Sequence, residues 1–123
     1  MLNKSDIINF VATCNAAKAR QFYEETLGLI FVSGDQFALV FEANGTMLRI
    51  QKVDQVSPQG YTVLGWKVID IKKEVNTLSK RGVKFARYEG MDQDENGIWM
   101  APSKAKIAWF TDPDGNTLSL TEF

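Results

Sequence analysis

Short hydrophobic runs alternate with polar, glycine-containing turns along the first half of the chain. Ile7–Thr13 is apolar and rich in β-branched residues, which predicts a strand. Asn15 then stands where a helix N-cap belongs, and apolar residues recur at helical spacing before Gly28, which predicts a helix over residues 16–27. Three further strands are predicted, at Leu29–Val32, Phe37–Phe41 and Met47–Val53.

Two turn signals separate these last three apolar runs. Gly34-Asp35 lies between the first and second, and Asn44-Gly45 lies between the second and third. Asn-Gly between apolar runs is a strong hairpin signal because both residues tolerate positive φ. Residues 6–53 are therefore predicted to form a β-α-β-β-β unit.

The same order of elements returns after residues 54–60, a polar stretch with Pro and Gly that predicts a linker. Tyr61–Ile69 is a predicted strand, Asp70 a predicted N-cap, and residues 71–81 a predicted helix. The remaining strands are predicted at Val83–Tyr88, Lys106–Thr111 and Thr117–Glu122.

Marker residues of the two halves recur at a nearly constant distance. Asn15 and Asp70 are 55 residues apart, and the glycines that end the two predicted helices, Gly28 and Gly82, are 54 apart. The hairpin glycines Gly45 and Gly115 are 70 apart, which predicts an insertion in the second half near residues 89–103. A period of this length is typical of a duplicated supersecondary unit. The predicted fold is α+β with two tandem βαβββ modules, at about 1–53 and 61–123.

Composition and charge are those of one globular domain spanning residues 1–123. The chain is 45% hydrophobic and 24% charged, with a formal net charge of -1. The absence of a basic cluster argues against nucleic-acid binding. The longest apolar runs are too short to cross a bilayer, and the chain does not open with a signal-peptide pattern, so no membrane association is expected. The single cysteine, Cys14, fits a reducing compartment, and we expect a cytoplasmic protein.

The chain contains no histidine. This excludes Ser-His-Asp and Cys-His catalytic arrangements and zinc sites that need imidazole. A thiol nucleophile at Cys14 would need a lysine or carboxylate base, so an inert small side chain is the preferred interpretation there.

Two segments resemble the vicinal oxygen chelate superfamily, which includes glyoxalases, bleomycin-resistance proteins and extradiol dioxygenases. Ala16–Leu29 (AAKARQFYEETLGL) looks like the helix that follows the opening strand of that family, and Phe110–Leu120 (FTDPDGNTLSL) looks like its closing hairpin. The resemblance covers essentially the whole chain. It implies that the modules form a curled, half-open sheet around a small-molecule cavity, and that the protein is a homodimer.

The resemblance also implies where a metal would be bound. The family's ligands come from four strands, usually as His and Glu, and those positions fall on Ile8, Arg49, Val63 and Ser119. Two aliphatic side chains, a guanidinium and a hydroxyl are poor ligands for a divalent metal. We therefore expect no cofactor, and a divalent metal is disfavoured.

Side chains alternate along a strand, so residues that share a face with the mapped positions should line the cavity. Among these, Arg49 is the leading candidate, because a guanidinium on the cavity floor can bind a carboxylate or phosphate in bidentate fashion. Its alternative is an arginine paired with a nearby carboxylate. The other candidates for ligand binding are Phe10, Gln51, Lys67, Trp99, Trp109 and Ser119.

Three functions remain open on the sequence alone. The first is a metal-independent protein that binds a small organic molecule between its modules. The second is a lyase, isomerase or dioxygenase-type enzyme with a non-standard metal or acid–base site, for which the candidate side chains are Gln51, Glu89, Asp92, Asp94 and Glu122. The third is an interaction protein whose sheet face serves only to dimerise.

Overall fold

The first half of the chain folds into a four-stranded sheet with one helix, as its hydrophobic pattern predicts. The computed structural model describes all 123 residues, and Met1–Ser57 form the first of two compact units. A 3₁₀ turn (Leu2–Lys4) precedes β1 (Asn9–Thr13), α1 (Ala16–Gln21) with a π-helical turn (Phe22–Thr26), β2 (Ile30–Gly34), β3 (Ala38–Ala43) and β4 (Thr46–Lys52). The strand order is β1-β4-β3-β2, with β1 parallel to β4 and the other pairs antiparallel.

The second unit, Pro58–Phe123, repeats this arrangement. Its elements are β5 (Leu64–Lys67), α2 (Ile71–Lys80), β6 (Trp99–Met100), β7 (Lys106–Thr111) and β8 (Thr117–Glu122). The strand order is β5-β8-β7-β6, again with one parallel pair, β5 and β8. The predicted α+β fold of two tandem βαβββ modules is confirmed, and neither sheet is closed.

The predicted helix ends are also confirmed. The Asn15 side chain accepts a hydrogen bond from the Lys18 amide at 3.1 Å, and Asp70 accepts one from the Lys73 amide at the same distance. These bonds satisfy first-turn donors that have no partner within the helix. Gly28, which follows the π-helical turn, has a φ of 74°, in the left-handed region that glycine enters without a steric penalty.

Each unit has its own aromatic core. In the first, Tyr23 from the π-helical turn and Phe41 from β3 are fully buried, with ring centroids 6.0 Å apart. In the second, Phe110 from β7 is buried against Phe85, at 5.4 Å between centroids, and stacks on Trp66 at 6.4 Å. Trp66 thus belongs to the helix-facing side of its sheet.

One predicted strand is wrong. Val83–Tyr88 forms no strand, and it joins the second sheet only through a 2.7 Å bond from the Ala86 amide to the Trp109 carbonyl. The edge position is taken by Trp99–Met100, from the predicted insertion. This segment reaches β7 through a tight turn, so its pairing closes a much shorter loop than Val83–Tyr88 would require.

Candidate functional site

In each unit the helix covers one face of the sheet, and we call the opposite face the helix-free face. Tyr23 contacts Phe41 on the helix side of the first sheet, where Leu48 and Ile50 of β4 are also buried. Because side chains alternate along a strand, Arg49 between them points to the helix-free face. In the second unit, the side chain of Glu122 accepts a bond from the Ile71 amide at the start of α2, which fixes the helix side of β8.

Three predicted site residues share the helix-free face of the first sheet. Phe10 on β1 lies beside Arg49 on β4 in the parallel register, and Gln51 follows Arg49 two residues along the same strand. Phe10 is 51% exposed and the neighbouring Met47 is 40% exposed. The cation is therefore surrounded by accessible apolar surface. Val40 of β3 is its register neighbour on the other side.

Arg49 is half-buried and has no carboxylate partner. Arg49 takes part in neither the ion pair Arg20–Glu24, at 3.1 Å, nor the ion pair Lys106–Glu122, at 3.7 Å. A charge that is partly removed from water without a direct ion pair is energetically unfavourable and gains from an anionic or strongly accepting ligand. This environment distinguishes Arg49 from Arg20, whose guanidinium is paired.

The positive charge of Arg49 affects the pKa of one acid, Asp35, which lies in the turn between β2 and β3. Its pKa is lowered chiefly by hydrogen bonds from the Phe37 and Ala38 amides, at 2.8 and 2.9 Å, and further by the positive charges of Arg49 and Lys52. One oxygen of Asp35 accepts both amide bonds. Its principal role is to close the turn.

On the second sheet, the helix-free face carries the other four predicted site residues. Lys67 on β5 is in register with Thr121, and Ser119 on β8 is in register with both Gly65 and Trp109. Trp99 on β6 pairs with Ile107. Ser119 is buried, whereas Lys67 is exposed.

Three aromatic side chains cluster on this face. The rings of Trp99 and Trp109 lie 6.1 Å apart with their planes tilted by 37°. The ring of Tyr88 stands edge-on to Trp109, with 5.5 Å between centroids and 83° between planes. Tyr88 is 42% exposed, and both tryptophans are half-buried. Accessible rings in such contact offer a surface for binding an apolar or aromatic group.

The loop that carries Tyr88 and Trp99 is fastened by the side chain of Gln93. The Gln93 amide nitrogen donates to the carbonyls of Ala86 at 2.9 Å and Gly97 at 2.8 Å, and its oxygen accepts from the Tyr88 amide at 2.8 Å. These three bonds join the backbone of the loop at Ala86, Tyr88 and Gly97. Gln93 therefore holds together the two parts of the loop that carry Tyr88 and Trp99.

The four positions onto which the resemblance maps the family's metal ligands carry side chains that do not suit a metal. Ile8 and Val63 offer no donor atom, Arg49 is a cation, and Ser119 supplies one hydroxyl. Nowhere in the structure do three or more Asp, Glu, Cys or His side chains converge so that they could hold a metal ion. The donor set therefore disagrees with the metal that the family fold implies.

A separate cavity of about 570 Å³ lies in the second unit and is lined by none of the seven predicted ligand-binding residues. Its charged lining residues are Asp70, Lys72, Asp92, Asp94, Lys106 and Glu122. Several of these carboxylates are already bonded to backbone: Asp70 and Glu122 cap α2, and Asp94 accepts from the Asn96 and Ile98 amides. They stabilise the local chain, as the turn-forming residue types of this segment suggest.

Reasoning from the sequence missed two residues that shape the aromatic cluster. Tyr88 stands at the end of the segment wrongly predicted as a strand, and Gln93 lies within an acidic run that is typical of a solvated loop. The bridge between Gln93 and Trp99 and the hydrogen bond from the Ala86 amide to the Trp109 carbonyl bring them to the sheet. The Gly and Asn residues around this loop were the available signal, since they indicate an ordered turn.

The fold and the helix-free faces define a protein of the paired βαβββ class, and sequence comparison agrees. The family model for the glyoxalase/bleomycin resistance protein/dioxygenase superfamily matches residues 6–120. The chain belongs to this superfamily. A comparison with curated proteins finds no match.

Solved structures of similar fold cover nearly the whole chain. A glyoxalase family protein from Enterococcus faecalis is 22% identical, with a TM-score of 0.77 and coverage of 99% of this chain and 100% of that one. A superfamily member from Sphaerobacter thermophilus is 27% identical, with a TM-score of 0.73 and coverage of 95% and 97%. A lactoylglutathione lyase from Agrobacterium tumefaciens is 15% identical, with a TM-score of 0.73 and coverage of 96% and 93%. In this chain, no helix has the length and hydrophobicity needed to cross a bilayer.

Proposed function

We propose that the protein binds a small organic molecule bearing an anionic or carbonyl group at the helix-free faces of its sheets, without a metal. The observation that carries this proposal is the position of Arg49. It lies on the helix-free face beside the exposed ring of Phe10, and it takes part in neither ion pair.

A guanidinium in this setting favours a planar anionic partner. Its fixed array of donors matches carboxylate and phosphate oxygens in bidentate geometry. The adjacent apolar side chains of Phe10 and Met47 suit the hydrocarbon part of the same molecule. A molecule with an apolar body and one acceptor group satisfies both requirements.

Replacement of Arg49 by Met tests this proposal, because it keeps length and apolar volume but removes charge and donors. Binding of benzoate, 4-nitrobenzoate and phenyl phosphate is measured by calorimetry, and unfolding by denaturant. We expect an affinity loss of about 1.5–3 kcal/mol, roughly 10- to 150-fold, with little change in stability.

Arg20→Met is the matched control. Arg20 lies on α1, in an exposed ion pair with Glu24 and 3.7 Å from the Phe31 ring centroid. Its loss should lower stability slightly and leave binding unchanged. If Arg49→Met instead lowers stability and leaves affinity intact, Arg49 is structural and the proposal is wrong.

The proposal of a metal-free site has its own test. Protein purified without a chelator and without an affinity tag is assayed for zinc, nickel, manganese and iron. A metal at one equivalent that is lost on substitution near Arg49 or Ser119 would contradict the proposal. Binding that persists unchanged in strong chelator supports it.

An enzymatic function is the second candidate, because three of the alternative acid–base residues, Asp92, Asp94 and Glu122, line one cavity. The binding role is better supported, since Asp94 and Glu122 already accept backbone bonds there. Turnover of an α-keto aldehyde or a catechol that is abolished by Glu122→Gln and unaffected by Arg49→Met would favour the enzyme.

We also propose a homodimer in the cytoplasm. Four strands, β1, β2, β5 and β6, are sheet edges, and exposed edges are usually covered in stable proteins. The single cysteine, Cys14, is exposed and forms no disulfide, which suits a reducing compartment. Light scattering at tens of micromolar tests the assembly, and a monomeric mass would contradict it.

A further inference from the structure

The aromatic cluster of the second sheet lies beside a stretch of that face where side chains are small. Gly65 on β5 and Ser119 on β8 are register partners, and Trp109 on β7 is the next residue in the same row. From the spacing of neighbouring strands, the Cα atoms of Gly65 and Trp109 are about 10 Å apart. This row of three residues therefore has the large ring of Trp109 at one end, and only the small residues Ser119 and Gly65 beyond it.

Gly65 keeps this space open. A Cβ atom at this position would lie 3.1 Å from the Ser119 hydroxyl oxygen, so any side chain here would occupy the helix-free face. Gly65 does not have a positive φ. No turn or positive φ calls for glycine inside this strand, and the close approach of the Ser119 hydroxyl and carbonyl oxygens, 3.1 and 3.4 Å from that Cβ position, accounts for it.

The three aromatic rings of the cluster form one continuous surface. Tyr88 and Trp99 each contact Trp109, at 5.5 and 6.1 Å between centroids, so the three rings pack on one another. A site for a quaternary ammonium instead needs rings spread around an empty centre. The one charged residue that the strands of this sheet place on the helix-free face is Lys67, which would repel a cation. Charge and ring geometry both favour an anionic or neutral aromatic molecule.

We propose that Trp99 and Trp109, with Tyr88 at their side, bind the planar aromatic ring of an anionic ligand in the space left by Gly65 and Ser119. This inference rests on the proposed function, since it names the chemical class of the small molecule that the helix-free face of the second sheet would bind. Indole rings are electron-rich on their faces, so an electron-poor ring should bind best by offset stacking.

The experiment uses 4-nitrobenzoate as the probe, with cyclohexanecarboxylate as its saturated counterpart and choline as a cation. Affinities are measured by calorimetry for the wild type, Trp99→Leu and Gly65→Val. Stacking on an indole and filling of the space should each matter, so both variants should bind 4-nitrobenzoate at least tenfold more weakly. Cyclohexanecarboxylate should bind at least tenfold more weakly than 4-nitrobenzoate to the wild type, and choline should not bind.

A fluorescence measurement keeps the test valid if a leucine variant folds poorly. The nitro group quenches nearby indole emission, and the chain offers a matched control, because Trp66 packs against Phe110 on the helix side of the same sheet. Quenching by 4-nitrobenzoate should persist in full in Trp66→Phe. It should fall markedly in Trp99→Phe and in Trp109→Phe.

Three results would overturn the inference. These are equal affinity for 4-nitrobenzoate and cyclohexanecarboxylate, tighter binding of choline, and quenching that is lost in Trp66→Phe but kept in Trp99→Phe. If 4-nitrobenzoate binding falls with Arg49→Met and is unaffected by Gly65→Val and Trp99→Leu, this aromatic subsite is wrong while the proposed function stands. If benzoate, 4-nitrobenzoate and phenyl phosphate all fail to bind the wild type, the proposed function and this inference both fail.

Discussion

On the first sheet, Arg49 and Phe10 take their positions from strand register, whereas on the second sheet two of the three clustered aromatic residues come from a loop and a two-residue edge strand. Arg49 and Phe10 lie side by side on two paired strands of five and seven residues. Tyr88 lies outside any strand, in the loop between α2 and β6, and Trp99 belongs to β6, which has only two residues. The same βαβββ order thus supports two differently built faces.

The two faces differ because the second unit has a longer connection between its helix and its edge strand than the first unit has. The first unit connects its helix to its edge strand directly, and the edge strand β2 carries five residues. The second inserts a long loop between α2 and β6, and a side chain, Gln93, supplies bonds that a longer strand would otherwise make. The proposed binding residues of the first face should therefore tolerate local loop changes better than those of the second.

The largest expected effects are in the two cores, where the units should behave alike. Phe41 and Phe110 lie on corresponding strands, β3 and β7, and both are fully buried. Phe41→Ala and Phe110→Ala should each lower the free energy of unfolding by about 3–5 kcal/mol, because each leaves a large cavity. Denaturant unfolding measures this. A loss below about 1 kcal/mol in one variant alone would show that the two cores are not equivalent.

Gln93→Glu tests the loop that distinguishes the second unit. A carboxylate can still accept from the Tyr88 amide but cannot donate to the carbonyls of Ala86 and Gly97. We expect a stability loss of about 1–3 kcal/mol. Hydrogen exchange should rise in residues 84–100 and stay unchanged in the first unit. Gln51→Glu, on the helix-free face of the first sheet, is the matched control and should change stability by less. Equal exchange in both units would contradict the role given to Gln93.

Removing the N-cap side chains of the two helices should have a smaller effect on stability, and a similar one in each unit. Asn15→Ala and Asp70→Ala each remove one bond to a first-turn amide, which should cost about 1 kcal/mol. The α2 helix has a second side-chain cap from Glu122 to the Ile71 amide, and Asp70→Ala leaves that bond in place. Combining Asp70→Ala with Glu122→Ala, which leaves no side-chain acceptor for the Ile71 amide, should therefore destabilise the protein more than Asn15→Ala alone. Chemical denaturation of the three variants decides this.

The smallest expected effect concerns pH and Asp35 in the first unit. Because the pKa of Asp35 is lowered in the folded state, its contribution to stability is present above its unfolded pKa and is lost as the pH falls through its folded pKa. Asp35→Asn should be less stable than the wild type at neutral pH and equal to it in acid. Backbone hydrogen bonds are the main cause of the shift, so most of the difference should survive high salt. A difference that disappears in salt would assign the shift to Arg49 and Lys52 instead.

Local patterns in the sequence were enough to predict both helices, seven of the eight strands and the duplicated fold. Asn15 and Asp70 cap their helices through neighbouring amides, and Asn44 and Gly45 adopt the positive φ values of a tight hairpin. These features depend on residues close together in the chain, so propensity and spacing determine them. The alternation along β4 also placed Arg49 correctly, opposite the buried Leu48 and Ile50.

Tertiary structure decided the edge of the second sheet and the composition of the aromatic cluster. Val83–Tyr88 and Trp99–Met100 both have strand-forming residues, and only competition for the free edge of β7 selects between them. The hairpin of β6 and β7 forms because its short loop closes at a lower entropic cost. As a result, Tyr88 remains in a loop beside Trp109. Whether Arg49 would find a carboxylate was undecided for the same reason, since an ion pair depends on where distant side chains come to lie. The sequence by itself determined the modules and their faces, and long-range packing determined which side chains meet on them.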